Sequence, residues 1–488
     1  MKITSKQLTI AAFCLTFVLS LELIWQGFEF VNFILDPSQT PSRQPSDFHA
    51  GYVRRGLQYI GIIAIYTYWL LRSEPRNSKL QGSPEPEANE TRSFLALVKP
   101  VWVFFALAFV SFPVTTDIYS YLHFGWMSWM GVNPYLTPAS KFISPMSPFL
   151  VWGQTSTYSP ISDILFMAGA AFTPIAVVLG VYALKTIFLL LHLTSGYLIW
   201  RHLKPSEHSK KITIAYLLNP LLLYEFIAEG HIDVLVSLFC IGFIILFRHK
   251  RYAAALLAIV AGFLSKTLPI VWLPMACVFL VRRKRWKALA IAIFTTATLC
   301  ILLGLTIFPS AQAWLSIVNP GVAYQTAGSF HNILDISVNA LYNLTQIAFL
   351  RPGRIVLGFK LMTYLGFIIY YAWRCLQIYR QHSYDREDLI VEIGWATLLL
   401  FLFATPWYQP WYASILLTIT VLNVKSRLLI SASFLYALCS TCSYHLLAYE
   451  SDNTLLLIVS CITVIPTTLL LIGRSPKLIS ILTPSYRP

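Results

Sequence analysis

An all-α polytopic membrane protein of about 12–14 transmembrane helices is the fold class this sequence predicts, from the length of its apolar runs and the gaps between them. Of 488 residues, 57% are hydrophobic and only 12% are charged, with a mean hydropathy of +0.64. A soluble chain carries about 25% charged residues. Apolar runs at 10–21, 94–112, 232–247, 288–308, 355–373 and 455–472 approach or reach the length that crosses a bilayer. Lys and Arg gather between such runs, at 201–211, 248–251, 282–287, 374–386, 425–427 and 474–477. That spacing is the positive-inside pattern. It accounts for the net charge of +15 without a nucleic-acid partner. Strands are disfavoured because backbone polar groups in lipid must be satisfied within each segment.

Placing the basic clusters in the cytoplasm threads the chain. Spans are expected at 8–30 and 56–72, a two-helix preface, then a cytoplasmic linker at 73–92 marked by Pro75, Gly82, Pro84 and Pro86. Residues 1–93 form this preface with its linker, and 94–488 the main transmembrane domain. Lys2 and Lys6 precede the first apolar stretch, but no small-x-small cleavage site follows, so it reads as a retained span. Further spans fall at 94–113, 176–200, 212–228, 232–247, 252–268, 270–281, 286–308, 355–378, 389–405, 411–424, 428–447 and 455–473. Both termini are then cytoplasmic. The segments 161–174 and 333–350 must not cross, and lie along the outer surface or dip into it. The spans 270–281 and 411–424 are short and read as tilted, broken or re-entrant. The eight cysteines lie mostly in apolar runs without metal-ligand spacing.

The threading collects chemistry on the outer face. A long outer loop at 114–160 opens with Asp117, followed by Tyr119, Tyr121 and His123. Glu225, Glu229, His231 and Asp233 occupy the turn between two spans, where Gly230 breaks the helix. Glu225 and Glu229, four apart, share a helical face and repel unless one is paired or protonated. Lys266 sits in so apolar a run that its charge invites an anionic partner. Trp407, Tyr408, Gln409, Trp411 and Tyr412 form another outer turn. The acids and His231 orient a substrate, with a divalent-cation site completed by Asp117 as the alternative. A purely polar interfacial cap is the competing structural account. No tight metal-ligand pattern and no cofactor motif is present, so no cofactor is expected. The aromatic rings can stack on sugar faces or form an ordinary interfacial belt.

Two motifs carry a resemblance. Asp117-Ile118-Tyr119-Ser120-Tyr121 with Gly125, followed by Asn133-Pro134-Tyr135, resembles the signature loop of the bacterial polyprenol-phosphomannose-dependent α-1,6-mannosyltransferases, enzymes of the GT-C glycosyltransferase superfamily. Asn219-Pro220, Glu229-Gly230-His231-Ile232-Asp233, Lys266 and Gln409-Pro410-Trp411-Tyr412 are similar to further family elements, with Ile232 where the family has Asn. The resemblance spans roughly 94–425. It implies a GT-C-like bundle with a large extracytoplasmic first catalytic loop, and a hexosyltransferase in the plasma membrane of a bacterium. The implied donor is a polyprenyl-phosphate sugar, with mannose as the sugar by resemblance alone, and the acceptor a glycan or glycolipid. In the superfamily the first outer-loop Asp is the catalytic base, which falls here on Asp117. Tyr119, Tyr121, His123, Glu229, His231, Asp233, Lys266, Gln409, Trp411 and Tyr412 are then the substrate-binding candidates, with Lys266 on the phosphate and Arg351 or Arg354 as a second cation. The rival from another class is a secondary transporter or lipid flippase. Such proteins show internal repeats and midplane sites, and no convincing repeat relates the halves of this chain.

Overall fold

The computed structural model describes residues 5–35, 45–72, 87–204, 206, 208–318, 325–347, 351–381, 383–423, 425–447 and 453–473. Most of the expected linker (73–86) and the basic cluster at 474–477 lie outside the described residues. Among the described residues the chain is helical without a strand, so the protein is an all-α polytopic membrane protein. It divides into two compact units, Met1–Gly321 and Val322–Pro488.

The first unit runs α1 (Ser5–Leu35), α2 (Pro45–Leu71), α3 (Glu87–Val98), α4 (Trp102–Val110), α5 (Asp117–Trp129), α6 (Pro160–Ala170), α7 (Val177–Leu203), α8 (Ser209–Leu217), α9 (Pro220–Leu222), α10 (Asp233–Arg248), α11 (Tyr252–Phe263), α12 (Trp272–Arg282), α13 (Trp286–Thr306) and α14 (Ala311–Val318). Among its described residues, five stretches are long and apolar enough to cross a membrane: Lys6–Glu29, Ser93–Val110, Val177–Leu203, Ser209–Ala228 and Trp286–Thr306. They differ in burial. The Ser209–Ala228 stretch is 78% buried and is the centre of the unit, whereas Trp286–Thr306 is 17% buried and leaves Phe294 and Leu305 exposed. An outward apolar face of that kind suits lipid. α1 packs on both α2 and α4, and α2 reaches α9, so the two-helix preface lies against the helix that leads to Asp117.

The second unit comprises α15 (Phe330–Thr345), α16 (Pro352–Arg380), α17 (Arg386–Leu399), α18 (Ala413–Val421), α19 (Arg427–Leu447) and α20 (Asn453–Gly473). Among its described residues, two stretches have spanning length and apolarity, Pro352–Arg380 and Asn453–Gly473. The other expected spans fall on shorter helices or helices below that hydropathy.

Several irregularities have local causes. The expected short spans at 270–281 and 411–424 are each preceded by a 3₁₀ turn containing a proline, Leu268–Val271 and Pro410–Tyr412. The stretch at 212–228 is broken at Asn219-Pro220 and resumes as a π-helix, Leu223–Ala228. α6 has eleven residues, a length of about 17 Å that falls short of a bilayer core.

The segment 114–160 is not a loop throughout, as expected from the sequence. Its first part is α5, because Ile118, Tyr121, Leu122 and Gly125 recur at helical spacing, the last three facing α6 and Ile118 facing Gly230. A Cβ at Gly125 would stand 2.3 Å from the Phe166 carbonyl, so only glycine permits that approach.

Candidate active site

Asp117 is the first residue of α5 and reaches it through a linker held on both sides. Glu229 Oε2 accepts from the backbone amides of Val114 (3.0 Å) and Thr115 (2.9 Å). The Lys185 ammonium, on α7, donates to the carbonyls of Ala108 (3.4 Å) and Ser111 at the end of α4. Those carbonyls have no intrahelical partner, which a lysine can supply. Lys185 is fully enclosed and faces the rings of Tyr182 and Phe109. A cation on the carbonyls and an anion on the amides thus fix the chain entering Asp117.

A row of three ionisable groups begins at Asp117. His231 Nε2 lies 3.5 Å from Asp117 Oδ2, and His231 Nδ1 lies 3.0 Å from Glu225 Oε2. The His231 and Glu225 side chains are 0% and 2% exposed, while Asp117 is 21% exposed. Asp117 is the open end of an otherwise buried row. Burial alone would lower the His231 pKa, but the carboxylates of Asp117 and Glu225 on either side outweigh it and raise it to about 10.

The backbone explains how Glu225 and Glu229 avoid each other. Asn219 caps α9 by accepting from the amides of Leu221 and Leu222, and the following π-helix carries Glu225. Glu229 N donates to Tyr224 O and His231 N to Glu225 O, each at 2.8 Å. Gly230, at φ +73°, turns the chain in the left-handed region. Glu225 therefore faces His231 while Glu229 faces the α4–α5 linker, so each like charge has its own partner. Single π turns recur at functional sites because they displace one side chain from the α-helical register.

Lys266 supplies the second cation. Its ammonium meets both oxygens of Asp233, at 2.9 and 2.8 Å, at the N-terminus of α10. Asp233 is fully buried and Lys266 is 17% exposed, so the cation has an anionic buttress and some access. The Tyr121 phenol feels the charge of both groups. Burial is the main cause that raises its phenol well above the ordinary value, and the charges of Asp117 and Asp233 both add to it.

The remaining aromatic candidates on α5 are packed inward. Tyr119 stacks on Phe149 at 4.5 Å and Tyr121 on Phe166 at 4.6 Å, both at most 1% exposed. His123 is enclosed, with Nδ1 2.7 Å from Ser144 Oγ, and burial lowers its pKa. Asn133-Pro134-Tyr135 is a structural staple. Asn133 donates to Ile307 O at 2.7 Å and accepts from Tyr135 N at 2.8 Å, while Tyr135 packs with Phe308, Val260 and Leu303. Among the described residues, no three His, Cys, Asp or Glu side chains converge as metal ligands.

Gln409, Trp411 and Tyr412 belong to the second unit. Their turn is held by Ala327 and Ser329: Ala327 N donates to Pro406 O, Tyr408 N to Ala327 O, and Ser329 Oγ to Pro406 O. Gln409 is 7% exposed, and Trp411 and Tyr412 are half-buried, with Trp411 edge-on to Tyr444.

Lys185 and Asp163 are among the buried polar groups that escaped the sequence reading. Lys185 is the one charged residue in α7 before Arg201, and the argument applied to Lys266 applies equally to it. Asp163, on α6, accepts from Ser128 Oγ at 2.7 Å, and its other oxygen is buried without a hydrogen-bond partner among the described residues.

Residues 37–282 match the family described as alpha-(1->6)-mannopyranosyltransferase, N-terminal domain. The chain belongs to this family. It is a mannosyltransferase, hence a hexosyltransferase, embedded in a membrane by its apolar helices. The matched segment contains Asp117, Lys185, Glu225, Glu229, His231, Asp233 and Lys266, whereas Gln409, Trp411 and Tyr412 lie beyond it. No curated protein matches the chain.

Proposed function

We propose that this mannosyltransferase moves mannose from a polyprenyl-phosphate donor to a hydroxyl of a glycan or glycolipid on the extracytoplasmic face of a bacterial plasma membrane. The main support is the position of Asp117, the one accessible end of a buried carboxylate–imidazole–carboxylate row. The basic clusters support the outward face and the cytoplasmic termini. Nucleotide sugars are cytoplasmic, so an outward site favours a lipid-linked donor.

In the reaction, the acceptor oxygen forms a bond to the anomeric carbon as the bond from that carbon to the phosphate oxygen breaks. Asp117 takes the acceptor proton, and polyprenyl phosphate departs carrying the electron pair. His231, a cation below about pH 10, pairs with the buried Glu225 on one side and holds Asp117 in place on the other. Lys266, buttressed by Asp233, offsets the negative charge that grows on the departing phosphate. A single base without a matched nucleophile implies inversion at the anomeric carbon. An Asp is a weak base, so the fixed linker supplies much of the acceleration by positioning.

The test uses membranes with a radiolabelled polyprenyl-phosphate mannose. Asp117→Asn is expected to lower transfer by about 10²–10⁴-fold while the protein still inserts and folds. Full activity in that variant overturns the base assignment.

A further inference from the structure

We propose that α6 is a spacer that sets the base-bearing helix α5 against the turn carrying Lys266, with Ser162 and Asp163 as its two positioning residues. The two are neighbours in sequence, so their side chains leave the helix about 100° apart and can hold different elements. Asp163 takes α5: its Oδ2 accepts from Ser128 Oγ at 2.7 Å. Ser128 stands about 16 Å along that helix from Asp117. Ser162 takes the end of α11: its Oγ donates to the carbonyl of Ser265 at 2.8 Å, and Lys266 is the next residue.

Backbone groups reinforce the grip on α11. The first amides of a helix and its last carbonyls lack intrahelical partners. Here an opening amide of α6 meets the close of α11, with Ile161 N donating to Leu264 O at 2.9 Å. Ser265 O also accepts from Ser159 N, but at 3.4 Å, so the Ser162 hydroxyl is its closer partner. On the other side, Tyr121 stacks on Phe166, and Trp129 Nε1 donates to Met167 O at 2.7 Å. Ser162 and Asp163 are both buried, which shields their bonds from water.

The chemistry gives that spacing its importance. In a single displacement the acceptor oxygen and the departing phosphate lie on opposite faces of the anomeric carbon. The groups that serve them must therefore keep a fixed separation. Asp233 holds the Lys266 ammonium, and Glu229 with Lys185 holds the linker into Asp117. α6 packs on the elements that carry both reacting groups, so it ties one to the other. Ser162 and Asp163 act on this account through residues that meet the substrate. This inference rests on the roles proposed above for Asp117 and Lys266.

With polyprenyl-phosphate mannose as donor, Ser162→Ala should raise the donor KM by about threefold to tenfold. In a Lys266→Ala background the same change should leave the donor KM where it is, because residues that act as a unit are not additive. An equal factor in both backgrounds, or no effect in the first, overturns the role of Ser162. Ser162→Cys, of similar size and a weaker donor, gives the same comparison at smaller amplitude if Ser162→Ala does not fold. Asp163→Ala should lower kcat about tenfold with the donor KM little changed. Asp163→Asn still offers Ser128 an acceptor and should recover most of that loss. An unchanged kcat, or no recovery, overturns the grip on α5. Amide hydrogen exchange reads the same device without turnover. Ser162→Ala should speed exchange at 264–266 and leave 117–129 as it was, with Asp163→Ala doing the reverse. Uniformly faster exchange in either variant means a general loss of stability and overturns the spacer. If Lys266→Ala itself leaves donor dependence unchanged, the phosphate role fails, and the exchange pattern still decides what α6 holds.

Discussion

Two buried ionic groups in this protein look alike in composition and differ in closure. In the second unit, Arg374 of α16 meets Glu392 of α17, with Nε 2.6 Å from Oε2 and a further contact through Nη2. Arg374 also donates to Gln377, and its side chain and that of Glu392 are 4% and 10% exposed. In the first unit, the row Glu225–His231–Asp117 is equally enclosed at one end but 21% exposed at the other. A charge pair closed at both ends can join two helices and nothing more. A row that opens at one carboxylate keeps that carboxylate oriented and still lets a substrate reach it.

This contrast can be broken experimentally, beginning with the largest effect. Glu392→Ala removes the carboxylate that the buried Arg374 meets, which costs about 3–5 kcal/mol, seen as early unfolding in detergent. Arg374→Met with Glu392→Leu should recover most of that loss, and transfer per folded molecule should stay unchanged in both. A selective loss of turnover would make the closed pair functional and erase the distinction. Lys185→Met tests the clamp beside the open row. It should lower kcat by about 10–100-fold with little change in donor KM, since a small misplacement of a reacting group is enough for that. An unchanged kcat would remove the clamp from catalysis.

Lys266→Ala should act on the donor instead, raising its KM by about tenfold. Identical donor dependence in the variant would detach Lys266 from the phosphate. EDTA treatment adds a direct check on cation dependence, with full transfer expected after chelation. Smallest is the pH effect. The His231 pKa is raised from its ordinary 6.5 to about 10 in the fold, so its contribution to stability is complete below about 6.5 and is lost as pH rises through 10. The melting temperature should therefore fall more steeply between pH 7 and 10 in the unmodified protein than in His231→Gln. Parallel slopes would mean that the row is not held by an imidazolium.

Much of the fold was legible because its determinants are one-dimensional. Apolar runs and basic gaps placed most helices from α7 to α20 close to where they stand, α14 excepted, since length and charge placement act locally. Gly230 as a helix breaker, an anionic partner for Lys266 and the weakness of the spans at 270–281 and 411–424 were also legible. Each follows from a single residue's conformational or electrostatic demand. What escaped depends on which side chain fills which gap. Asn133 was readable as a motif, but its bond to Ile307 O joins positions far apart in the sequence. Tyr119, Tyr121 and His123 looked available beside Asp117, yet helical periodicity turns them toward Phe149, Phe166 and Ser144. Lys185 was passed over beside Lys266, although an isolated lysine in an apolar helix makes the same demand in either place.

The π-helix at Leu223–Ala228 has a consequence for how this protein can vary. Relative to an α-helix, a π turn accommodates one additional residue. Deleting a single residue within it would let an ordinary α-helix form and rotate the residues that precede the deletion by about 100° relative to those that follow. Glu225 would swing away from His231, while Asn219-Pro220 and α10 could still pack in the membrane. An active enzyme and an inert look-alike of the same fold would then be one codon apart.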